Sequence, residues 1–397
     1  MKIFWLASYP ISDLVPELKI KNGFYGHPCS WVSNLAKKIA EDSEIELHII
    51  ISSAHIPYSQ SLRKFNINFH VVKYSMPFTN KGFPNYFPFD SLTWYFGFIR
   101  KALKILKRHH IDLIHAHGVE KGYSLLAYFS KTKSVTSIQG SLKSIFPIEP
   151  SLKALSQIPI EKFCLRKNSI FGCRTQWDKQ LVLSSNPRAS VYYMPEMINP
   201  VFFEKSWKGT ESNDIVYVGS IIRRKGVETL ILALSILSKE FPNLKVTLIG
   251  SYNGKYKNTL CEKARNLGVE DKVIFLGPKS SEEISSKLAD SLLFVLPSMI
   301  ENSPNSLAEA MAMGVPCIAS NVGGIPTIIE DSKNGLLFEV NNHNDLAEKI
   351  LRIVKNKPFG SRIGGNAKIT SLRRNYPDFV LKETIKVYHN IVNASND

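Results

Sequence analysis

From about residue 214 onward the chain alternates between two hydrophobic periods. Short apolar runs that end in Gly or Pro are followed by longer segments whose apolar residues return every three or four positions. The runs at 214–219, 244–250, 272–277, 291–297 and 316–320 read as strands. The segments at 226–239 and 259–267, and the one opened by Ser280, Ser281, Glu282 and Glu283, read as helices. Strands that are apolar throughout, rather than at every second position, are buried on both faces, which predicts a parallel sheet wound with helices on both sides. The first half follows the same grammar less cleanly. It has strands at 2–8, 45–52, 69–74, 113–116, 134–138 and 169–173, and clear helices at 29–41 and 92–109. The stretch 195–208, which holds Pro200, reads as an irregular linker, and 376–392 reads as a helix returning to the first half. The expectation is an α/β chain of two doubly wound domains, 1–195 and 209–375, with 376–397 packed back on the first.

In open α/β sheets ligands bind beyond the carboxyl ends of the strands. The segment after the strand at 291–297 occupies such a position and reads PSMIENSPNSLAEAMAMGVPCIASNVGG from Pro297 to Gly324. Ser303 as an N-cap and Pro304 as the first helical residue predict a helix over 304–313, stopped by Gly314. The free N–H groups and positive dipole end of that helix, at Ser303–Asn305, suit a diphosphate. Glu301 lies just before that end and Glu309 roughly 8 Å beyond Glu301's side of the turn, at about 1.5 Å per helical residue. Two acids on either side of an anion site fit a ligand with hydroxyls at both ends and phosphates in the middle.

Three further constellations carry chemistry. The strand ending at Gly219 runs into a turn with Arg223, Arg224 and Lys225, which reads either as a solvated basic turn or as a diphosphate clamp. Beside the acidic motif, the clamp is the stronger reading. Asp112-Leu-Ile-His-Ala-His-Gly118 puts two imidazoles at a strand's carboxyl end. His115 alternates with the apolar strand residues as a structural group, and His117 is the site candidate. The loop 21–28 carries Gly23 and Gly26, where a backbone can approach a ligand closely.

Charge changes the picture in one half only. The chain of 397 residues has a net charge of +16, and residues 1–195 hold 25 Lys and Arg against 12 Asp and Glu. That half is expected to meet something anionic. Its segment 94–110, WYFGFIRKALKILKRHH, reads either as a solvated basic helix or as a helix lying on an anionic bilayer. Five scattered cysteines without CxxC spacing argue against a disulfide framework or a cysteine zinc site. The same cysteine usage makes a reducing cytoplasm the expected setting, and the opening MKIFWLASYP reads as a first strand rather than a signal peptide. No Asp-x-Asp, GxxxxGK[ST] or GxGxxG motif is present, which disfavours a divalent-metal transferase and a P-loop NTPase. No nucleic-acid reader motif is visible either.

Together these residues resemble a retaining glycosyltransferase of GT-B architecture, similar to glycosyltransferase family 4, over the whole chain. The resemblance implies two Rossmann-like domains facing a cleft, the first for acceptor and the second for donor. Glu301 and Glu309 fall on the family's E-x7-E motif, which implies Glu301 on the donor sugar and Glu309 on the ribose. Lys225 falls on its diphosphate-binding cation, Gly26 on its glycine loop, and His117 on the sugar-proximal imidazole. The implied catalytic set is Glu301, His117 and Lys225. The implied donor-binding set is Gly26, Gly219, Arg223, Arg224, Lys225, Gly250, Ser303, Pro304, Asn305, Ser306 and Glu309. No metal or other cofactor is implied. The partners would be a nucleoside-diphosphate sugar, UDP-linked by preference, a glycan or lipid-linked acceptor of cell-surface synthesis, and the inner membrane face, with no nucleic acid. Three positions depart from the family: Ser220 stands where Arg is usual, Gln139 precedes Gly140 in place of His, and Thr327 replaces an acid. Two other readings stay open, a nucleotide-sugar 2-epimerase on the same fold and a non-catalytic module that binds sugar nucleotides or polyanions.

Overall fold

Apolar runs buried on both faces need a sheet with helices above and below, and the chain builds two of them. The computed structural model describes residues 1–18, 30–53, 56–73, 89–119, 122–209 and 211–394. Two compact units emerge, Met1–Met197 with Pro377–Asp397, and Ile198–Tyr376.

The first unit holds β1 (Lys2–Leu6), β2 (Glu46–Ser53), β3 (Gln60–Lys64), β4 (Ile67–Lys73), β5 (Leu113–His117), β6 (Ser134–Ser137), β7 (Ile170–Cys173) and β8 (Ser190–Tyr193). Their order is β3-β4-β2-β1-β5-β6-β7-β8, parallel except for β3, which runs antiparallel to β4 at the edge. One face packs Ile3, Trp5 and Ile49 under the helices Ser30–Asp42 and Pro377–Asn393. The other packs Phe4, Leu6 and Ile114 under Phe96–Leu106, Tyr123–Ser130 and Leu152–Lys167.

The second unit holds β9 (Asp214–Val218), β10 (Lys245–Ile249), β11 (Val273–Gly277), β12 (Leu293–Leu296), β13 (Cys317–Ser320) and β14 (Leu336–Phe338). All are parallel in the order β11-β10-β9-β12-β13-β14. Counted along the unit this is the 3-2-1-4-5-6 order of a dinucleotide-binding sheet, whose crevice opens where the winding reverses. That point lies between β9 and β12.

Several elements differ from the pattern reading, and three of them bear on the sites. The helix expected over 92–109 is a single turn at Phe89–Leu92 followed by Phe96–Leu106, because Trp94 and Tyr95 take left-handed φ of 52° and 55°. The helix also ends at Leu106, with Lys107 as its C-cap, so Lys107 and Arg108 lie past its end. The stretch 195–208 is not wholly irregular, since Val201–Glu204 forms a helical turn that buries Phe202 in the second unit's core. The helix Asn305–Met313 begins one residue later than expected.

The terminal helix is fastened to the first sheet by polar contacts as well as apolar ones. The buried Tyr388 hydroxyl accepts from Trp5 Nε1 at 2.8 Å and lies 2.7 Å from His115 Nδ1. Replacing Tyr388 by Phe leaves both partners buried without their mate, which typically costs about 1–3 kcal/mol for each group left unsatisfied. Urea unfolding of Tyr388→Phe is expected to show a loss of that order. An unchanged midpoint would remove the hydroxyl from the account of how this helix is held.

Candidate active site

Four loops meet at the carboxyl ends of β9 and β12. The turn after β9 carries Arg223, Arg224 and Lys225 in one turn of 3-10 helix. Gly226 ends it at φ 65°, and a Cβ there would lie 1.9 Å from the Pro297 carbonyl oxygen, so only glycine lets this turn sit against the loop after β12. Met299 N–H donates to the Arg224 carbonyl at 2.8 Å and closes the same contact. From the other side, Gly323 at φ 53° abuts the Glu301 backbone, and Gly324 N–H donates to the Glu301 carbonyl at 2.9 Å.

That packing delivers the Lys225 ammonium onto Glu301 Oε1. Ser298, fully buried, donates from Oγ to the same carboxylate oxygen at 2.8 Å, and its own carbonyl accepts from Ser320 Oγ. Glu301 thus has its orientation set from two sides while remaining partly open. Arg223 points to solvent and Arg224 is half-buried. Gly219 and Gly250 lie at neighbouring strand ends, with Gly219 N–H donating to the Ile249 carbonyl at 2.9 Å. Tyr217 donates its hydroxyl to the Ser220 carbonyl at 2.9 Å, and burial together with the Glu301 charge holds that phenol far above its ordinary range.

The Asn305–Met313 helix starts beside Glu301. Ser303 is not its N-cap: Pro304 takes the cap position with extended backbone and no side-chain cap, and Ser303 Oγ lies 3.5 Å from Arg374 Nη2. The first N–H groups of Asn305 and Ser306, both half-buried, are therefore left for a ligand or water. Leu307, Ala308, Ala310 and Met311 bury the inner face of the helix. Glu309 has no hydrogen-bond or ion-pair partner among the described residues, and burial pushes its carboxyl up to about 7.

In the first unit, His115 is structural. It is buried between Tyr388 and Ser137 Oγ, 2.7 Å from its Nε2, and burial pushes it down to about 3. His117 stacks on it with ring centroids 3.9 Å apart, and Trp5 lies 4.6 Å from the His117 ring. His117 Nε2 has no hydrogen-bond partner among the described residues. Burial, with His115 and Arg174 adding to it, holds His117 well below its ordinary range, so it is a neutral imidazole near pH 7. Gly26 and the rest of the loop 21–28 lie outside the described residues.

The sequence alone did not single out Ser298 as the group that orients Glu301, nor Tyr388 as the partner of His115. Ser298 follows a strand in a Pro-Ser pair, a weak local signal. Tyr388 is 273 residues from His115 and leaves none.

Residues 199–370 match the family model described as glycosyl transferases group 1, and residues 32–200 match the model described as glycosyltransferase family 4. The chain belongs to the family 4 type of glycosyltransferases. It is 25% identical over 395 residues to N-acetyl-alpha-D-glucosaminyl L-malate synthase of Bacillus anthracis, covering 94% of this chain and 98% of that protein. It is 29% identical over 344 residues to an uncharacterized glycosyltransferase of Methanocaldococcus jannaschii, covering 85% and 87% of the two chains. Among solved structures, sucrose-phosphate synthase from Thermosynechococcus elongatus superposes with a TM-score of 0.81 at 18% identity, each chain covered in full. HepE of Anabaena, in complex with UDP and glucose, gives 0.71 at 18% identity over 98% of this chain and 99% of that one. Fold and family make this glycosyltransferase a GT-B enzyme.

Glu309 generates a pH prediction. Its folded pKa, about 7, stands above the ordinary carboxyl value of 4.5, so ionising it costs the folded state more than the unfolded one. The penalty is absent below about pH 4.5, grows as pH rises to about 7 and is constant above. Thermal denaturation of ligand-free Glu309→Gln is therefore expected to gain on wild type across that window. Parallel curves from pH 4 to pH 8 would place Glu309 in ordinary solvent.

Proposed function

We propose that this enzyme transfers a hexose-type sugar from a nucleoside diphosphate, UDP by preference, to a glycan or lipid-linked acceptor, with retention at the anomeric carbon. The observation that carries the reading is the convergence of Lys225 and Glu301 at the switch point of the second sheet, beside the open N-terminus of the Asn305–Met313 helix. Lys225, Arg223 and Arg224 supply cations, and Asn305 and Ser306 supply N–H groups, so a leaving diphosphate finds its charge balanced by the chain itself. A metal has no required place in that scheme. Glu301, aimed by Ser298, is assigned to the donor sugar's hydroxyls, and Glu309 to the ribose. His117, neutral and with Nε2 unengaged among the described residues, is assigned to the sugar. The printed names of relatives agree in kind: a GlcNAc-malate synthase, D-inositol 3-phosphate glycosyltransferases, and a neighbour solved with UDP-glucose.

A thermal-shift screen of UDP-, GDP- and ADP-sugars identifies the donor, since a ligand at 100 Kd adds about 2.7 kcal/mol of stability. With that donor, Lys225→Ala is expected to lose on the order of a hundredfold in kcat, as when one stabiliser of developing charge is removed. Turnover equal to wild type would dismiss the diphosphate role. Conversion of UDP-N-acetylglucosamine without acceptor would point instead to an epimerase. Tight binding with neither transfer nor hydrolysis would point to a binding module.

The acceptor reading includes the membrane. No helix among the described residues is long and apolar enough to cross a bilayer. The helical layer of the first unit nevertheless exposes Leu92, Trp94, Phe96, Tyr128, Phe129, Leu152 and Leu155, with Phe96 65% and Leu152 62% exposed. Trp94 and Tyr128 both pack on Phe163, with ring centroids 5.3 and 5.2 Å away, which joins these helices into one face. Arg100, Lys101, Lys104, Lys153, Lys162 and Arg166 are exposed on the same helices. Aromatics at headgroup level with cations around them suit an anionic surface, each cation adding about 1 kcal/mol at low salt. The enzyme is expected to sediment with phosphatidylglycerol vesicles and not with phosphatidylcholine, and Phe96→Ser with Leu152→Ser is expected to release it. Equal partition to both vesicle types would end the proposal of an anionic membrane partner.

A further inference from the structure

A second cluster of histidines stands on the face of the first sheet opposite His115 and His117. Phe4 pairs with His48 across β1 and β2, and Ile50 pairs with His70 across β2 and β4, so all three rings project from one face. His48 Nδ1 and His70 Nε2 face each other at 3.0 Å. The outer nitrogens are already held, His48 Nε2 by Glu46 Oε1 at 2.9 Å and His70 Nδ1 by Ser61 Oγ at 3.0 Å. Phe4 stacks against His48 at 4.3 Å and closes the floor. His109, in the turn after Phe96–Leu106, covers the pair with its centroid 5.0 Å from His48 and 5.7 Å from His70.

Two facing imidazole nitrogens can share a single proton, and that accounts for His48 and His70 but not for the third ring. One nitrogen from each of the three lies within 4.8 Å of the others. Tetrahedral zinc with Zn–N of about 2.0–2.1 Å asks for nitrogens about 3.3 Å apart, so the first pair is nearly spaced and His109 has on the order of 1–2 Å to travel. Metal-bound imidazoles characteristically give their other N–H to a carboxylate or similar acceptor. Glu46 on His48 supplies that second layer, and Ser61 steadies His70. Imidazole donors favour zinc and its neighbours over magnesium or calcium.

We infer that His48, His70 and His109 form a three-imidazole site for a zinc-class divalent cation, its fourth position filled by water. The site staples β2 and β4 to the chain returning from the helix. It is independent of sugar transfer, since none of its residues belongs to the set assigned to donor or acceptor.

The test uses the full chain after chelator treatment, titrated with Zn2+ by calorimetry and thermal denaturation, with Mg2+ as control. One Zn2+ per chain and a rise in Tm are expected, with no response to Mg2+. Cobalt in place of zinc is expected to give the visible bands of a tetrahedral ion. His109 is half-buried on a turn, so His109→Gln should fold and lose at least tenfold in Zn2+ affinity. Glu46→Gln is expected to weaken it about 10–100-fold, as for other outer-layer carboxylates. Absence of saturable one-to-one binding, absence of tetrahedral cobalt bands in wild type, or full affinity in His109→Gln would each overturn the site.

Discussion

The second unit's candidate site hangs on one contact, the ion pair between Lys225 and Glu301. Each residue sits on a loop leaving a different strand, and the two loops approach closely enough only because Gly226 has no Cβ to collide with the Pro297 carbonyl, while Gly323 lets the loop after β13 abut the Glu301 carbonyl. Ser298 then fixes the carboxylate within the pair. A partly buried ion pair is a poor source of net stability, because desolvation offsets most of the attraction, but losing one partner is costly. The arrangement is therefore better understood as a held position than as a staple. A ligand that brings phosphate to Lys225 and hydroxyls to Glu301 substitutes new partners for each. It leaves no buried charge behind.

Much of the local structure around the candidate site was legible because its parts are local. The nine residues from Glu301 to Glu309, the cationic turn after Gly219 and the strand ends that carry them follow from spacing and period alone. What failed was also local. Ser-Pro before a helix reads as cap and first residue, yet Pro304 occupies the cap position and Ser303 turns toward Arg374. The side-chain cap was never formed, which leaves the first N–H groups open where an anion would need them. Tyr388 and His115 lie in sequence neighbourhoods that say nothing of each other, and their bond exists only through the return of the last helix.

The fold divides the same way. The second sheet was readable because its strands are buried throughout and punctuated by Gly or Pro. Gln60–Lys64 was not, since an edge strand with Leu62 as its single apolar residue has neither alternation nor bulk. Lys357–Asn375 shows no apolar stripe and contains Gly360, Gly364 and Gly365, which read as breakers. Packing explains Gly364: a Cβ there would lie 2.2 Å from the Gly314 carbonyl, so this glycine lets the helix touch the end of Asn305–Met313. Tertiary contact thus overrode local propensity at the place where the Asn305–Met313 helix is backed.

The first sheet shows how one residue type is sorted by surroundings rather than by spacing. His115 and His117 stand on one face; His48 and His70 stand on the other. His115 is engaged at both nitrogens and serves as packing. His117 keeps Nε2 unengaged among the described residues, at a strand's carboxyl end. His48 and His70 are tied at their outer nitrogens and turn their inner ones toward each other and His109. Burial keeps all four neutral near pH 7, so charge does not distinguish them. What distinguishes them is which nitrogen the protein has left unspent. By that criterion His115 faces the fold, His117 keeps one nitrogen open at a strand's carboxyl end, and the His48–His70 pair turns its inner nitrogens toward each other beside His109.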